Sequence, residues 1–196
     1  VSAVEALARN KYFDPHFNID AAKVLPGEYY VTDRDMMMVT VLGSCVSCCL
    51  RDPLAGVSGM NHFMLPEGTG PGLASRYGIH AMELLVNELL KRGARRDRLE
   101  AKVFGGGNVM PGFVTDPVGE RNAAFVLEFL RTEKLRCSAQ DLLDRWPRKV
   151  YFWNATGKVL VKALRTVANE TLLERELDYK RHLTEAPASG EIELFS

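Results

Sequence analysis

Nothing in the chain approaches the ~20 consecutive apolar residues that a membrane-spanning helix requires, which argues against membrane insertion. Net charge is also missing: 25 Lys plus Arg stand against 25 Asp plus Glu, so no bulk attraction to nucleic acid or an anionic surface is expected. The first residues show no basic segment leading into an apolar stretch, so a secretory signal is not expected. Cysteines number only four, bunched rather than spread, which is not a secreted disulfide framework; reduced thiols in the cytosol are expected. There is no Gly-Lys-Ser/Thr to make a phosphate-binding loop, and no internal repeat.

What is present suits one domain. With 196 residues, 46% hydrophobic and 26% charged, the chain can bury a core without metal or disulfide. Residues 1–23 read as a loosely packed N-terminal arm, 24–170 as the domain, and 171–196 as a charged extension, helix or loose tail, facing a partner or solvent. Between them, "MMMVTVLGSCVSCCL" reads as two strands meeting at a bend, or one strand with a bulge, at Gly43-Ser44. "VSGMNHFMLP" returns as a hairpin partner after the "DPLAG" turn. "EGTGPGLASRYG" (67–78) reads as a Gly-rich surface flap. A helix follows with Ile79, Met82, Leu85, Val86, Leu89 and Leu90 inward, capped by Gly93; "KRGARRDR" is its solvated end. A second helix carries Ala123, Val126, Leu127 and Leu130 inward. "RCSAQDLL" reads as a strand, and "RKVYFWNATGKVLVKAL" as a hairpin around "NATG". Irregular alternation of strands with two main helices predicts an α/β or α+β sandwich with mixed sheets.

Three of the four cysteines, Cys45, Cys48 and Cys49, crowd one short run. Cys45-x-x-Cys48 has half the spacing of a zinc site, but no second pair or two-His set follows, and on a strand the two side chains face opposite ways. A redox pair would need a helix start, which is not predicted here. Cys48 and Cys49, between Val46 and Leu50, read as small buried hydrophobes. Cys45 differs because it follows Gly43-Ser44 at the bend, where backbone N–H groups can face an oxyanion. A thiol nucleophile needs a base, and His62 lies on the strand that the turn brings back alongside. His80 sits on the helix, and His16 and His182 lie in the terminal segments.

In their order along the chain, "TVLGSCVSCCLRDP", "GVSGMNHFMLP", "AKVFGGGNVM", "GERNAAFVLEFL" and "RKVYFWNATGKVLVKAL" resemble the CheD family, chemoreceptor glutamine deamidases of bacterial chemotaxis. The resemblance covers about residues 24–168. It implies the α/β sandwich of the cytotoxic necrotising factor deamidase-like cysteine hydrolases. It also implies a nucleophile at Cys45, a base at His62 and a Thr on the strand leading to the Cys. Methylesterase activity on receptor methyl-glutamates is allowed by the same resemblance. Thr40 is the third catalytic candidate, five positions before Cys45; Val39 stands at six, where the family pattern can place its Thr. Gly43, Ser44, Gly105 and Gly106 are the candidate oxyanion and substrate-binding positions, with the Gly-rich 68–72 and 105–107 stretches as flaps or ordinary turns. Where the family usually shows Gly-Gly before its last hairpin, this chain has Leu143, Asp144 and Arg145. Implied partners are the cytoplasmic helices of methyl-accepting receptors and a CheC-type phosphatase; no metal or cofactor is required. The rival expectations are a non-catalytic adaptor for receptors or a phosphatase, and a same-fold cysteine hydrolase with another amide substrate.

Overall fold

A computed structural model describes residues 6–66, 71–109, 118–165 and 170–185. Strands run in the order β1 (Ala6–Leu7), β2 (Asn10–Asp14), β3 (Ile19–Lys23), β4 (Glu28–Thr32), β5 (Met37–Leu42), β6 (Val46–Asp52) and β7 (Val57–His62). Helix α1 (Pro71–Lys91), β8 (Glu100–Gly105), α2 (Val118–Thr132), β9 (Arg136–Leu142), the β10–β11 hairpin (Arg148–Trp153, Val159–Ala163) and α3 (Glu170–Glu185) follow. Two sheets form, ordered β1-β4-β7-β6-β8-β9 and β11-β10-β5-β3-β2.

The layering follows from alternation along the strands, where successive side chains serve opposite faces. In β6, Cys48 and Leu50 join the cluster under α1 and α2, with Met82, Leu85, Val126 and Leu130. Cys49 points the other way, into the space between the sheets, with Met38 and Leu42 of β5, Met60 of β7 and Phe152 of β10. The expected sandwich is therefore present, with α1 and α2 over one sheet and the second sheet behind it. Both expected hairpins form, β6 with β7 and β10 with β11.

Several local expectations change. Segment 1–23 is not a loose arm over its second half, because β2 and β3 extend the second sheet and Ala21 and Ala22 are fully buried. Of the stretch expected as a flap, 67–70 lies outside the described residues, and 71–78 form the first turns of α1. Pro71 opens that helix, a position where its missing N–H costs nothing. Ile79 and Leu127 point outward, and Phe129 takes an inward place on α2. The basic stretch after α1 is paired: Arg98 with buried Asp52, Arg96 with Glu83 and Glu133. The charged C-terminal segment supplies a third helix, whose Glu176 is fully buried.

Candidate active site

The bend Gly43-Ser44-Cys45 is the crossover between the two sheets, leaving β5 in one and entering β6 in the other. All three of its carbonyls are held from behind. Gly107 N–H donates to Gly43 O (2.8 Å), Asn122 Nδ2 to Ser44 O (2.9 Å) and Gly106 N–H to Cys45 O (2.8 Å). With the carbonyls fixed, the three N–H groups turn to one side and make a small anion-binding concavity. Gly106 therefore braces the bend, its N–H spent on Cys45 O rather than on an oxyanion, and Gly105 is held beside it by Leu143 N–H donating to its carbonyl (2.8 Å). Gly105 sits at φ 106°, and a Cβ there would lie 2.2 Å from Cys45 O, so only glycine fits.

His62 ends β7, and the Val46–Phe63 bridge (2.9 and 3.0 Å) clamps that strand end against the start of β6. Thr40 comes from the opposite sheet. It shares the inter-sheet face with Met38 and Leu42, and its Oγ1 lies 2.8 Å from His62 Nδ1 and 2.7 Å from Val24 O. A hydroxyl has one proton, and a carbonyl can only accept, so Thr40 donates to Val24 O and accepts from His62 Nδ1–H. The proton is thus on Nδ1. Nε2 carries the lone pair, is buried, and has no hydrogen-bond partner among the described residues.

The cradle is filled by the C-terminal helix. Glu176 Oε1 accepts from Gly43 N (2.8 Å) and Cys45 N (3.3 Å), while Oε2 accepts from Ser44 N (3.0 Å) and Ser44 Oγ (2.7 Å). Cys45, His62 and Glu176 are all buried, with one donor atom of each within 4.8 Å of the others. That spacing would suit a metal, but both carboxylate oxygens face N–H dipoles whose positive ends oppose a cation. Burial pushes the Cys45 thiol well up, and the charge of Glu176 and its hydrogen bond add to this against the bend's own N–H. Burial takes His62 down to about 4, opposed by the Glu176 charge and the Val24 carbonyl. In this closed arrangement the pair is thiol and neutral imidazole, not the ion pair expected of an activated thiolate.

Gly43 matters for close approach, since a Cβ there would lie 2.8 Å from both Glu176 oxygens. Cys48 and Cys49 are buried away from the cradle, one on the helix side of its sheet and one between the sheets, and all four cysteines are free. His16, His80 and His182 are exposed. Two residues escaped sequence reasoning. Asn122 sits on the inward face of α2 as a polar residue. Glu176 lies on the same helical stripe as Leu172, Tyr179 and Leu183, and a carboxylate at that spacing is the signal that could have revealed it.

The family model described as CheD, "CheD chemotactic sensory transduction", matches residues 64–163. A curated protein of Dechloromonas aromatica is 58% identical over 194 residues, spanning 97% of this chain and 96% of its own length. The chain belongs to the CheD family. That relative is named a probable chemoreceptor glutamine deamidase CheD 1. A Janthinobacterium CheD, also named a probable chemoreceptor glutamine deamidase, is 58% identical and covers 98% of this chain and 97% of its own. The CheD family model begins two residues after His62, whereas these relatives align across the bend, the His62 strand and α3 as well. A solved chain, the Bacillus licheniformis hypothetical protein YfiH, is 11% identical with TM-score 0.42 over 72% of this chain and 65% of its own, a likeness that carries no argument. No helix among the described residues is long and apolar enough to cross a membrane.

Proposed function

We propose that this CheD chain is a cysteine-dependent protein-glutamine deamidase acting on chemoreceptor glutamines. One observation carries the reading: a carboxylate is seated on the N–H groups of Gly43, Ser44 and Cys45, beside the Cys45 thiol and the His62 ring. A cradle that fits a carboxylate fits the isosteric carboxamide of glutamine. With a substrate in that place, His62 Nε2 takes the Cys45 proton and Sγ attacks the amide carbon. The oxyanion is met by the Gly43 and Cys45 N–H groups, a contribution of about 3 kcal/mol for each donor. As the carbon–nitrogen bond breaks, the His62 proton leaves with ammonia. Water, activated by the same nitrogen, then hydrolyses the thioester, leaving glutamate and the free thiol. Thr40 is a positioning residue that holds the tautomer this sequence needs. The same steps with methanol leaving would give methylesterase activity.

The filled cradle also favours a second reading, an adaptor that holds receptors without turnover. One assay separates them. Receptor cytoplasmic fragments are incubated with wild type and Cys45→Ala and mapped by mass spectrometry. Deamidated glutamines with wild type alone support the enzyme; identical spectra with intact receptor binding would refute receptor deamidation and favour the adaptor.

A further inference from the structure

The carboxylate in the cradle belongs to the protein itself, 131 residues along the chain from Cys45, and it arrives on a helix. Among the described residues its donors are all bend groups: three N–H groups, the Ser44 hydroxyl and, beside them, the Cys45 thiol. α3 is anchored on the C-terminal side of this contact. Tyr179, one turn on, packs against the inter-sheet core, joins its hydroxyl to that of Tyr77 on α1 and closes over Gly27, where a Cβ would lie 2.8 Å from its ring. Leu183, a further turn on, packs on the same core. Among the described side chains of α3, Glu174, Arg175, Leu177, Asp178, Arg181 and His182 are exposed, so the stripe that carries Glu176 is the face it buries.

Glutamate is the product of glutamine deamidation. We infer that α3 is a tethered product analogue, with Glu176 in the place of a deamidated side chain, closing the site until a substrate helix displaces it. This rests on the reading of Cys45 as the nucleophile, and it deepens that reading in two ways. The substrate side chain is presented from an α-helix, with an apolar or aromatic residue one turn beyond it, as Tyr179 stands to Glu176. The resting enzyme is closed by charge-assisted hydrogen bonds that a neutral carboxamide cannot fully reproduce, because its NH2 group would face the Ser44 N–H. Burial of Cys45 and its retention as a thiol agree with a closed resting state.

Glu176→Gln turns the plug into a substrate. Sγ forms a bond to the introduced carboxamide carbon, the carbon–nitrogen bond breaks, ammonia leaves with the His62 proton, and water restores thiol and carboxylate. The peptide spanning 170–185 from the purified full-length variant is therefore expected to contain Glu, whereas in the Cys45→Ala/Glu176→Gln double variant it retains Gln. Retention of Gln beside an intact Cys45 overturns the inference. As an independent measurement, Glu176→Ala is expected to raise iodoacetamide labelling of Cys45 at least about tenfold over wild type, since the seated state loses every bond the carboxylate makes to the bend. Exposed Cys137 serves as the internal standard. Equal labelling would also overturn the inference. If receptor fragments are deamidated while the introduced Gln persists, only the plug fails. If the introduced Gln is converted while receptor fragments are untouched, the receptor reading fails and the plug stands.

Discussion

Thr40→Val keeps the shape of the side chain and removes the hydroxyl between His62 Nδ1 (2.8 Å) and Val24 O (2.7 Å). In wild type that hydroxyl obliges Nδ1 to carry the proton. In the variant the Nδ1–H has only Val24 O, already 3.5 Å away, so its hold on the ring is weak. A buried donor left without a good partner costs about 1–3 kcal/mol, and that is the margin by which the productive tautomer and ring orientation were preferred. At about 1.4 kcal/mol per decade, kcat for receptor deamidation falls roughly 10- to 100-fold. KM stays near wild type, because Thr40 makes no hydrogen bond to the bend. The acid limb of the pH–rate profile also moves. Thr40 accepts from Nδ1–H and so favours imidazolium; without it the base pKa drops, and activity persists to lower pH before His62 is protonated. Partial unfolding would lower the active fraction without moving that limb. Thr40→Ser restores the hydroxyl and is expected to recover most of kcat. A valine variant within about twofold of wild type with an unmoved acid limb would refute the tautomer argument.

Two further predictions concern stability. Buried Asp52 accepts from the Leu54, Ala55 and Arg95 N–H groups and from the Arg98 guanidinium; burial pushes its carboxyl up, but Arg98 and the backbone donors outweigh this and bring it down to about 2. Because the folded value lies below the unfolded one, the group contributes about 2 kcal/mol above pH ~4, lost as pH falls toward 2. Urea midpoints should show this acid limb in wild type and a flatter one in Asp52→Asn, and parallel curves would sink the assignment. Leu143 (φ 67°) and Asp144 (φ 72°) occupy left-handed backbone where relatives of this chain are expected to carry Gly-Gly. Leu143→Gly removes about 1 kcal/mol of strain from a half-exposed side chain, raising Tm by roughly 2–4 °C in a chain of this size. A lower Tm would mean that the Leu143 side chain contributes more than its strained backbone costs.

The Leu143–Asp144 loop shows what lies beyond sequence patterning. Its backbone keeps the conformation that glycines favour: Leu143 N–H donates to Gly105 O (2.8 Å) and Asp144 O accepts from Asn108 N–H (2.7 Å). Those bonds brace the glycine turn behind Cys45, so the loop geometry is held from outside despite the side chains present. Thr40 makes a related point. Counting residues back from Cys45 assumes a single strand, whereas β5 and β6 belong to different sheets and the bend resets which face each side chain serves.

Local signals were enough for much else. Period-two runs and turn residues determined the β6–β7 and β10–β11 hairpins, because strand pairing across a short turn is decided by neighbours in sequence. The same signals singled out Gly43-Ser44-Cys45 and paired His62 with it across a single hairpin. They separated Cys45 from Cys48 by strand alternation. What tertiary structure alone decided was the convergence of distant parts: Thr40 from the second sheet, Asn122 from α2 and Glu176 from α3. In sequence the α3 segment is a charged stretch like any solvated helix. Glu176 acquires meaning only when the donors of the bend are left facing one point and the fold delivers a carboxylate there, since a buried anion is tolerated only where such donors meet it.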